Sequence, residues 1–266
     1  MLINTVLLFL QNALPIFIIT VLLLLRFSSE TINKPSVKWL ALSLILVVTL
    51  AVILSYFLER ISQAVDGKGI ELFLSSGFLL VYFFSIILFV HKNSNRETAI
   101  KIQLALIMFL IIGCLNGAHF ILYFTSYWSK AQQVQSMLIG LILGGGICLS
   151  IAILFYFLLK YADRRFHPNT SSYFLLFFTI GQLMHAIVLL QQIDILPSSQ
   201  SLWDSGQFIA ENSELGRLLT VLFGYETTPS LLQFITYAIA FIIPVIINLL
   251  ISHAKPLLLL FRGEKS

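Results

Sequence analysis

The chain has 266 residues, of which 58% are hydrophobic and 11% are charged, and its mean hydropathy is +0.95. Soluble domains carry about 25% charged residues, so this composition excludes an ordinary soluble protein and indicates an integral membrane protein. The formal net charge of +4 comes from basic residues scattered singly between apolar runs, so we expect no nucleic acid as a partner. The sequence has no nucleotide-binding loop, Ser/His/Asp arrangement or cysteine pair at metal-binding spacing, and we therefore expect no enzyme.

Seven apolar runs are long enough to cross a bilayer as helices, since about 20 residues span a hydrocarbon core of about 30 Å. They cover residues 2–25, 39–58, 72–90, 102–128, 134–159, 172–193 and 231–252, and none contains a charged residue. No basic segment precedes the first run, so we expect a retained span rather than a cleaved signal peptide. Because lipid offers no partners for backbone groups, the runs must be helical. The sequence predicts an all-α integral membrane protein, with seven transmembrane helices forming a single domain over residues 1–266 in the lipid bilayer.

The basic residues predict how these helices are oriented. Of the 16 Lys and Arg residues, 12 lie in the segments that follow the first, third, fifth and seventh runs. By the positive-inside rule the amino terminus is outside and the carboxyl terminus is cytoplasmic. We expect a multi-pass protein of the plasma membrane, or of the inner membrane if the cell is bacterial.

The acidic residues have the opposite distribution, because eight of the 12 Asp and Glu residues lie on the predicted outer side. Five of them follow the sixth span, namely Asp194 directly after it and, further along the loop, Asp204, Glu211, Glu214 and Glu226. The last four could gather cations at the outer mouth of a pathway, or they could simply be solvated loop charges. Asp204 could also cap a short external helix over residues 205–219.

Polar residues interrupt the first and fourth spans, at Gln11-Asn12-Ala13-Leu14-Pro15 and at Leu115-Asn116-Gly117-Ala118-His119. In the predicted topology these spans run antiparallel, as do the first helices of two inverted three-helix repeats, here approximately 1–92 and 99–194. An external loop, 194–230, and a last helix, 231–252, would follow. Binding sites in such folds lie near the midplane at the repeat interface, so we expect the two stretches to face each other across the core.

The fifth and sixth spans carry further signals. Gln182 and His185 lie three residues apart on one face of the sixth span. In the fifth span, Gly140 and Gly144 have the spacing that is typical of close helix packing.

Polar groups at bilayer depth are costly unless they meet a partner or line a wet cavity. Asn12 and Asn116 could therefore line a cation path, or they could form interhelical hydrogen bonds. His119 and His185 could be metal ligands or could form ordinary hydrogen bonds. Together with histidines at the inner span ends, they could also hold two haems; those histidines are His91 and His253.

The segment before the last span contains Trp203-Asp204-Ser205, Leu222-Phe223-Gly224-Tyr225 and Pro229-Ser230. It resembles the final external loop of the oxidase-dependent, high-affinity iron permease family, which has a similar Gly-Tyr-x-x-x-Pro-Ser signature before its last helix. The number of spans, their orientation and Glu71-Leu72-Phe73 at the start of the third span also agree with that family. The resemblance implies iron ion transport, an external oxidase as a candidate partner, no permanently bound cofactor, and an iron ion as substrate.

The working motif of that family is Arg-Glu-x-x-Glu, once in the first span and once in the fourth. In this sequence the motif positions hold neutral residues, namely Gln11, Asn12 and Pro15 in the first copy and Leu115, Asn116 and His119 in the second. Ferric ion prefers carboxylate oxygens, whereas amide and imidazole groups suit ferrous ion or another divalent transition metal. The resemblance thus implies a transport path along these positions. Its metal contacts would be Asn12, Asn116 and His119, and Gln182 and His185 would be additional lining.

Three functions are compatible with these residues. The first is an iron permease-like transporter for high-affinity iron uptake. The second is a non-transporting partner subunit of an iron-uptake complex, paired with an active permease or an external oxidase, because both motifs have lost their charges. The third is a haem-binding membrane redox protein.

Overall fold

A computed structural model describes residues 2–28, 37–63, 65–90, 98–128, 134–165, 170–211 and 213–263. These residues form eight α-helices: α1 (Leu2–Ser28), α2 (Val37–Gln63), α3 (Gly69–Val90), α4 (Thr98–Trp128), α5 (Val134–Arg165), α6 (Thr170–Gln192), α7 (Glu214–Phe223) and α8 (Leu231–Gly263). The all-helical fold predicted from the sequence is confirmed for this part of the chain. The last helix continues to Gly263, beyond the expected end at residue 252.

Within the described residues, six helices are long and apolar enough to cross a membrane, namely α1, α3, α4, α5, α6 and α8. Helix α2 contributes a shorter apolar stretch, Leu42–Leu58. Large apolar side chains project from the outside of the bundle, including Ile45 and Phe57 of α2 and Ile142 and Leu154 of α5. An apolar exterior around a helical bundle is what a lipid environment requires, so the chain is a multi-pass membrane protein.

Apart from the contacts of α7, which packs against α1 and α6, the packing pattern of the helices does not change when α1, α2 and α3 are exchanged for α4, α5 and α6. Helix α1 packs against α4 and α5, and α4 correspondingly packs against α1 and α2. Helices α3 and α6 pack against each other, and α8 contacts both of them. Two three-helix repeats that pack face to face would produce this pattern.

Glycines allow the helices of the two halves to approach closely. A Cβ atom added to Gly113 of α4 would lie 2.6 Å from Cγ1 of Val47 in α2, and one added to Gly144 of α5 would lie 2.8 Å from Cβ of Phe9 in α1. Both contacts are possible only because these glycines have no side chain. The close packing predicted from the glycine spacing in the fifth span is thus confirmed at Gly144.

The prediction of a helix over residues 205–219, capped by Asp204, is wrong. The Asp204 side chain accepts a hydrogen bond from Gly206 N at 2.8 Å, within a turn that does not continue as a helix. The helix begins instead at Glu214, where Ser213 Oγ caps it by accepting from Gly216 N at 3.0 Å. It ends at Gly224, whose φ of 67° is the left-handed conformation that glycine adopts readily.

Helix α7 enters the helical bundle. A Cβ atom on Gly181, which lies midway along α6, would be only 2.8 Å from the backbone nitrogen of Gly224. The ring of Phe223 packs edge-on against Phe177, with centroids 6.3 Å apart. Val221 is 4% exposed and belongs to the main hydrophobic core. The carboxyl end of α7 therefore lies at the level of the middle of α6.

The chain then returns to the end of the bundle where α6 ends and α8 begins, which we call the loop end. Residues after Gly224 run antiparallel to those before α7, because Leu202 N donates to Pro229 O and Ser205 N donates to Thr227 O, both at 2.9 Å. We call residues 201–230 the re-entrant segment. The sequence suggested an external loop with a possible short helix outside the membrane, whereas the structure shows a helix inserted halfway into the bundle.

The contact between Gly181 and Gly224 yields a prediction about stability. We expect Gly181→Ala to lower the melting temperature of the detergent-purified protein, because the added methyl group meets backbone atoms that cannot rotate away; such overpacking costs about 1–3 kcal/mol. Gly146→Ala on α5 is the matched control, since a Cβ there meets nothing within 4 Å. We expect that control to melt at the wild-type temperature or slightly above it. Equal melting of the two variants would contradict the close contact.

Candidate functional site

A cavity of about 500 Å³ lies between α1, α3, α4, α6 and α7. Residues singled out from the sequence on three different helices line it: Gln11, Asn12, Pro15, Asn116, His119, Gln182 and His185. Gln192 and Glu211 also line the cavity and are exposed, so it reaches the protein surface at the loop end. The structure thus brings the two polar stretches of the first and fourth spans to one cavity.

Asn12 and Asn116 have the same hydrogen-bonding geometry. Asn12 Nδ2 donates to Leu8 O at 3.0 Å, and Asn116 Nδ2 donates to Ile112 O at 2.9 Å. A carbonyl oxygen only accepts, so each amide must direct its nitrogen to its own helix. Among the described residues, neither amide oxygen accepts a hydrogen bond. The two asparagines therefore contribute acceptor oxygens to the cavity, and they do not bond to each other.

Pro15 frees one more acceptor. It has no backbone N–H, so the carbonyl of Gln11 lacks its usual donor four residues later. Pro244 in α8 has the same effect on Ala240, but there the hydroxyl of Tyr82 donates to the freed carbonyl at 2.8 Å. No described side chain does this for Gln11, which lines the cavity.

His119 lies one turn after Asn116 on α4, and His185 lies one turn after Gln182 on α6. Phe78 of α3, another lining residue, packs against the His185 ring with centroids 6.3 Å apart. A neutral imidazole has one nitrogen that accepts or binds a metal. His91 and the side chain of His253, which the haem hypothesis requires, lie outside the described part of the chain.

Metal ligation in this cavity would need oxygen donors besides histidine. The described residues contain no group of three or more His, Cys, Asp or Glu that could hold a metal ion. The acceptors on the residues that line the cavity include two imidazoles, two asparagine oxygens and the Gln11 carbonyl, and Glu211 adds a carboxylate at the mouth. Imidazole nitrogen with neutral oxygen suits a divalent transition metal better than a ferric ion, for which carboxylates are preferred.

Two charged residues also line the cavity, Glu211 and Arg217. From the sequence, Arg217 was only one of the few basic residues on the outer side, and its place in the cavity follows from the insertion of α7. A helix with Ser213 and Gly224 at its ends could have been recognised from the capping preferences of serine and glycine. The depth to which it enters the bundle has no such signal.

The four acids predicted to gather cations do not form one cluster. Asp204 and Glu214 are exposed, and neither lines the cavity. Glu211 and Glu226 lie close together at its mouth, where Glu211 Oε2 accepts from Thr227 Oγ1 at 3.2 Å. Burial raises the pKa of the Glu226 carboxyl, the charge of Glu211 raises it further, and a hydrogen bond with the Gln233 side chain opposes this.

Near the cavity, a buried carboxylate oxygen of Glu71 has no hydrogen-bond partner among the described residues. This atom is Oε2, and Glu71 lies in the first turn of α3. Glu71 lies one turn before Leu74, which lines the cavity. A buried acceptor without a donor calls for a cation, a proton or a water molecule.

The raised pKa of Glu226 yields a prediction with a definite sign. An acid whose pKa is raised by folding stabilises the folded state when protonated, and this contribution disappears as the pH rises through the raised pKa. We therefore expect Glu226→Gln to melt at a higher temperature than wild type at pH 7, and the difference to vanish near pH 4, where the wild-type carboxyl is protonated. The measurement is thermal melting of purified protein across this pH range.

A second variant checks the cause of the raised pKa. In a Glu211→Gln background the benefit of Glu226→Gln should be smaller, because one of the two interactions that raise the pKa is gone. A benefit that is independent of pH would show that the Glu226 charge is not responsible.

Comparison of the chain with protein-family models, with curated proteins and with solved structures gives no match. The function must therefore be argued from the cavity, its lining residues and the fold that surrounds them.

Proposed function

We propose that this protein is a membrane permease that carries ferrous iron, or another divalent transition metal, through the cavity between α1, α3, α4, α6 and α7. The observation that carries the proposal is the matched geometry of Asn12 and Asn116, whose nitrogens bond to their own helices and whose oxygens are left for a ligand. Acceptor groups that face a cavity suit a cation, since a cation can satisfy several acceptors at once.

The surrounding groups support the same choice. The Gln11 carbonyl, freed by Pro15, and the imidazoles of His119 and His185 add three more acceptors to the cavity. Broken backbone hydrogen bonding next to a polar cavity is typical of transporter binding sites near the membrane midplane. Neutral ligands compensate the dehydration of a divalent ion more readily than that of a ferric ion, and this favours ferrous iron as substrate.

The proposal includes the topology predicted from the sequence. Seven spans, with α2 as the second, would place the amino terminus outside and the carboxyl terminus in the cytoplasm of a plasma-membrane protein. The packing pattern of α1–α3 and α4–α6 supports two inverted repeats, with the two asparagine stretches at their interface. The loop end is then the outer side, and Glu211 and Glu226 at its mouth would raise the local cation concentration.

A second candidate is a non-transporting partner subunit of an iron-uptake complex, paired with an active permease or an external oxidase. It is favoured by the neutral residues at the motif positions, where the iron permease family that this chain resembles carries glutamates. A protein without its own transport step does not need those glutamates. The two candidates differ in whether the chain moves metal by itself.

The test is uptake of radiolabelled iron by cells that lack their own iron permease and express this chain alone. We expect uptake with ferrous iron kept reduced by ascorbate, and less with ferric citrate. Asn12→Leu combined with Asn116→Leu should reduce uptake at least tenfold, because losing two ligand oxygens costs more than about 1.4 kcal/mol. Thr49→Ala is the control, since Thr49 is exposed on α2 and bonds only to Ile45 O of its own helix.

The outcomes separate the candidates. Uptake that is unaffected by the double asparagine variant would contradict the proposed site. No uptake by the wild-type chain, with insertion confirmed by accessibility of terminal tags, would contradict the permease and favour the partner subunit.

A further inference from the structure

We propose that Arg217 determines the cation specificity of this pathway: its guanidinium adds a positive charge to the cavity, and a cargo ion must bind strongly enough to displace that charge. The inference rests on the proposed permease function and adds to it a reason why abundant monovalent ions are excluded. Its basis is the re-entrant segment, which presents one fixed positive charge to a cavity that is otherwise lined mainly by neutral acceptors.

The position of Arg217 is fixed by α7. Arg217, Thr220 and Val221 lie on one face of this helix, and all three line the cavity. The helix is held at its start by the Ser213 cap and at its end by the contact between Gly224 and Gly181 of α6. Arg217 is therefore not on a free loop.

The Arg217 side chain has no partner in the described structure. Its backbone N–H donates to Ser213 O at 3.0 Å, but its guanidinium forms no hydrogen bond or ion pair with a described residue. Glu211, the other charged residue of the cavity, accepts instead from Thr227. Arginine stays protonated in proteins, and a half-buried charge without a partner is costly. The guanidinium therefore lines the cavity with a charge that no described residue compensates.

The acceptors it can use are the ones proposed for the metal. Arg217, Asn12 and Asn116 line the same cavity of about 500 Å³. At the low effective dielectric of a protein interior, a second cation in that cavity is repelled unless the guanidinium moves away. The resident charge thus competes with any entering cation.

This competition distinguishes cations by how strongly they bind. Na⁺ and K⁺ bind weakly to amide oxygen and carry one charge, as the guanidinium does, so they gain little by replacing it. A divalent transition metal also binds the imidazoles of His119 and His185, and can compensate the displacement. A built-in repulsive group is a common way to obtain specificity that attractive contacts alone do not give.

The test is equilibrium binding of Fe²⁺, under anaerobic conditions, to the purified full-length protein with and without excess Na⁺. For Arg217→Gln we expect binding at least tenfold tighter than wild type, and, unlike wild type, inhibited by Na⁺. Arg217→Lys keeps the charge and should bind within a few-fold of wild type and remain insensitive to Na⁺. Arg60→Gln is the matched control, because Arg60 is exposed on the same predicted side but does not line the cavity, and it should change neither property.

Further variants make the outcomes decisive. The tighter binding of Arg217→Gln should disappear when Asn116→Leu is added, which shows that the same site is measured. Unchanged or weaker Fe²⁺ binding by an Arg217→Gln protein that melts like wild type would overturn the inference about Arg217. If wild-type Fe²⁺ binding still depended on Asn116 in that case, the result would support the proposed permease function. Absence of Fe²⁺ binding by both wild type and Arg217→Gln would overturn the permease as well.

Discussion

The fold depends on one constraint, the cost of leaving a backbone or side-chain polar group unsatisfied in hydrocarbon. Long helices meet this constraint for the backbone, and serine and threonine side chains meet it by bonding to their own helix, as Thr20 does to Ile16 O at 2.6 Å. Pro244 leaves the carbonyl of Ala240 without its backbone donor, and the hydroxyl of Tyr82 donates a hydrogen bond to that carbonyl instead. The polar groups that stay open in this way are concentrated at one cavity, where Pro15 frees the Gln11 carbonyl and the two asparagines turn their oxygens away from their helices. The same constraint that builds the bundle therefore identifies its site.

Close contacts at glycines hold together the helices that form and surround this cavity. Gly113 and Gly144 bring α4 against α2 and α5 against α1, across the two halves of the packing pattern. Gly181 and Gly224 do the same for α6 and the end of α7, where two backbones meet without any side chain between them. Because α7 is only one short helix, its insertion relies on this contact and on the apolar residues around Val221. Two of these glycines are close to the polar lining, since Gly113 lies three residues before Asn116 and Gly181 lies next to Gln182.

The membrane class, the helical fold and the meeting of Asn12 with Asn116 could be predicted, because each follows from a strong local signal. Runs of about 20 apolar residues have few alternatives to a helix in lipid, and two polar groups inside such runs must meet something. Capping preferences mark Ser213 and Gly224 as possible ends of α7, but Asp204 is an equally good N-cap, and only tertiary contacts decide between Asp204 and Ser213. The position of Arg217 could not be predicted. A basic residue in a polar segment is normally solvated, and only the burial of Val221 in the core carries Arg217 to the cavity with it.

Neutral ligands create a difficulty that a carboxylate site does not have. Amide and carbonyl oxygens bind many cations weakly, so a cavity built from them would fill with the commonest ion. A fixed positive charge at the same place changes the competition. An entering ion must then bind strongly enough to displace the resident guanidinium, in addition to compensating the loss of its own water shell. The acids at the mouth act in the opposite direction, since Glu211 and Glu226 concentrate cations of every kind at the entrance. Attraction outside and competition inside would together favour an ion that is both divalent and able to bind imidazole, which is the property that separates a transition metal from the alkali ions around it.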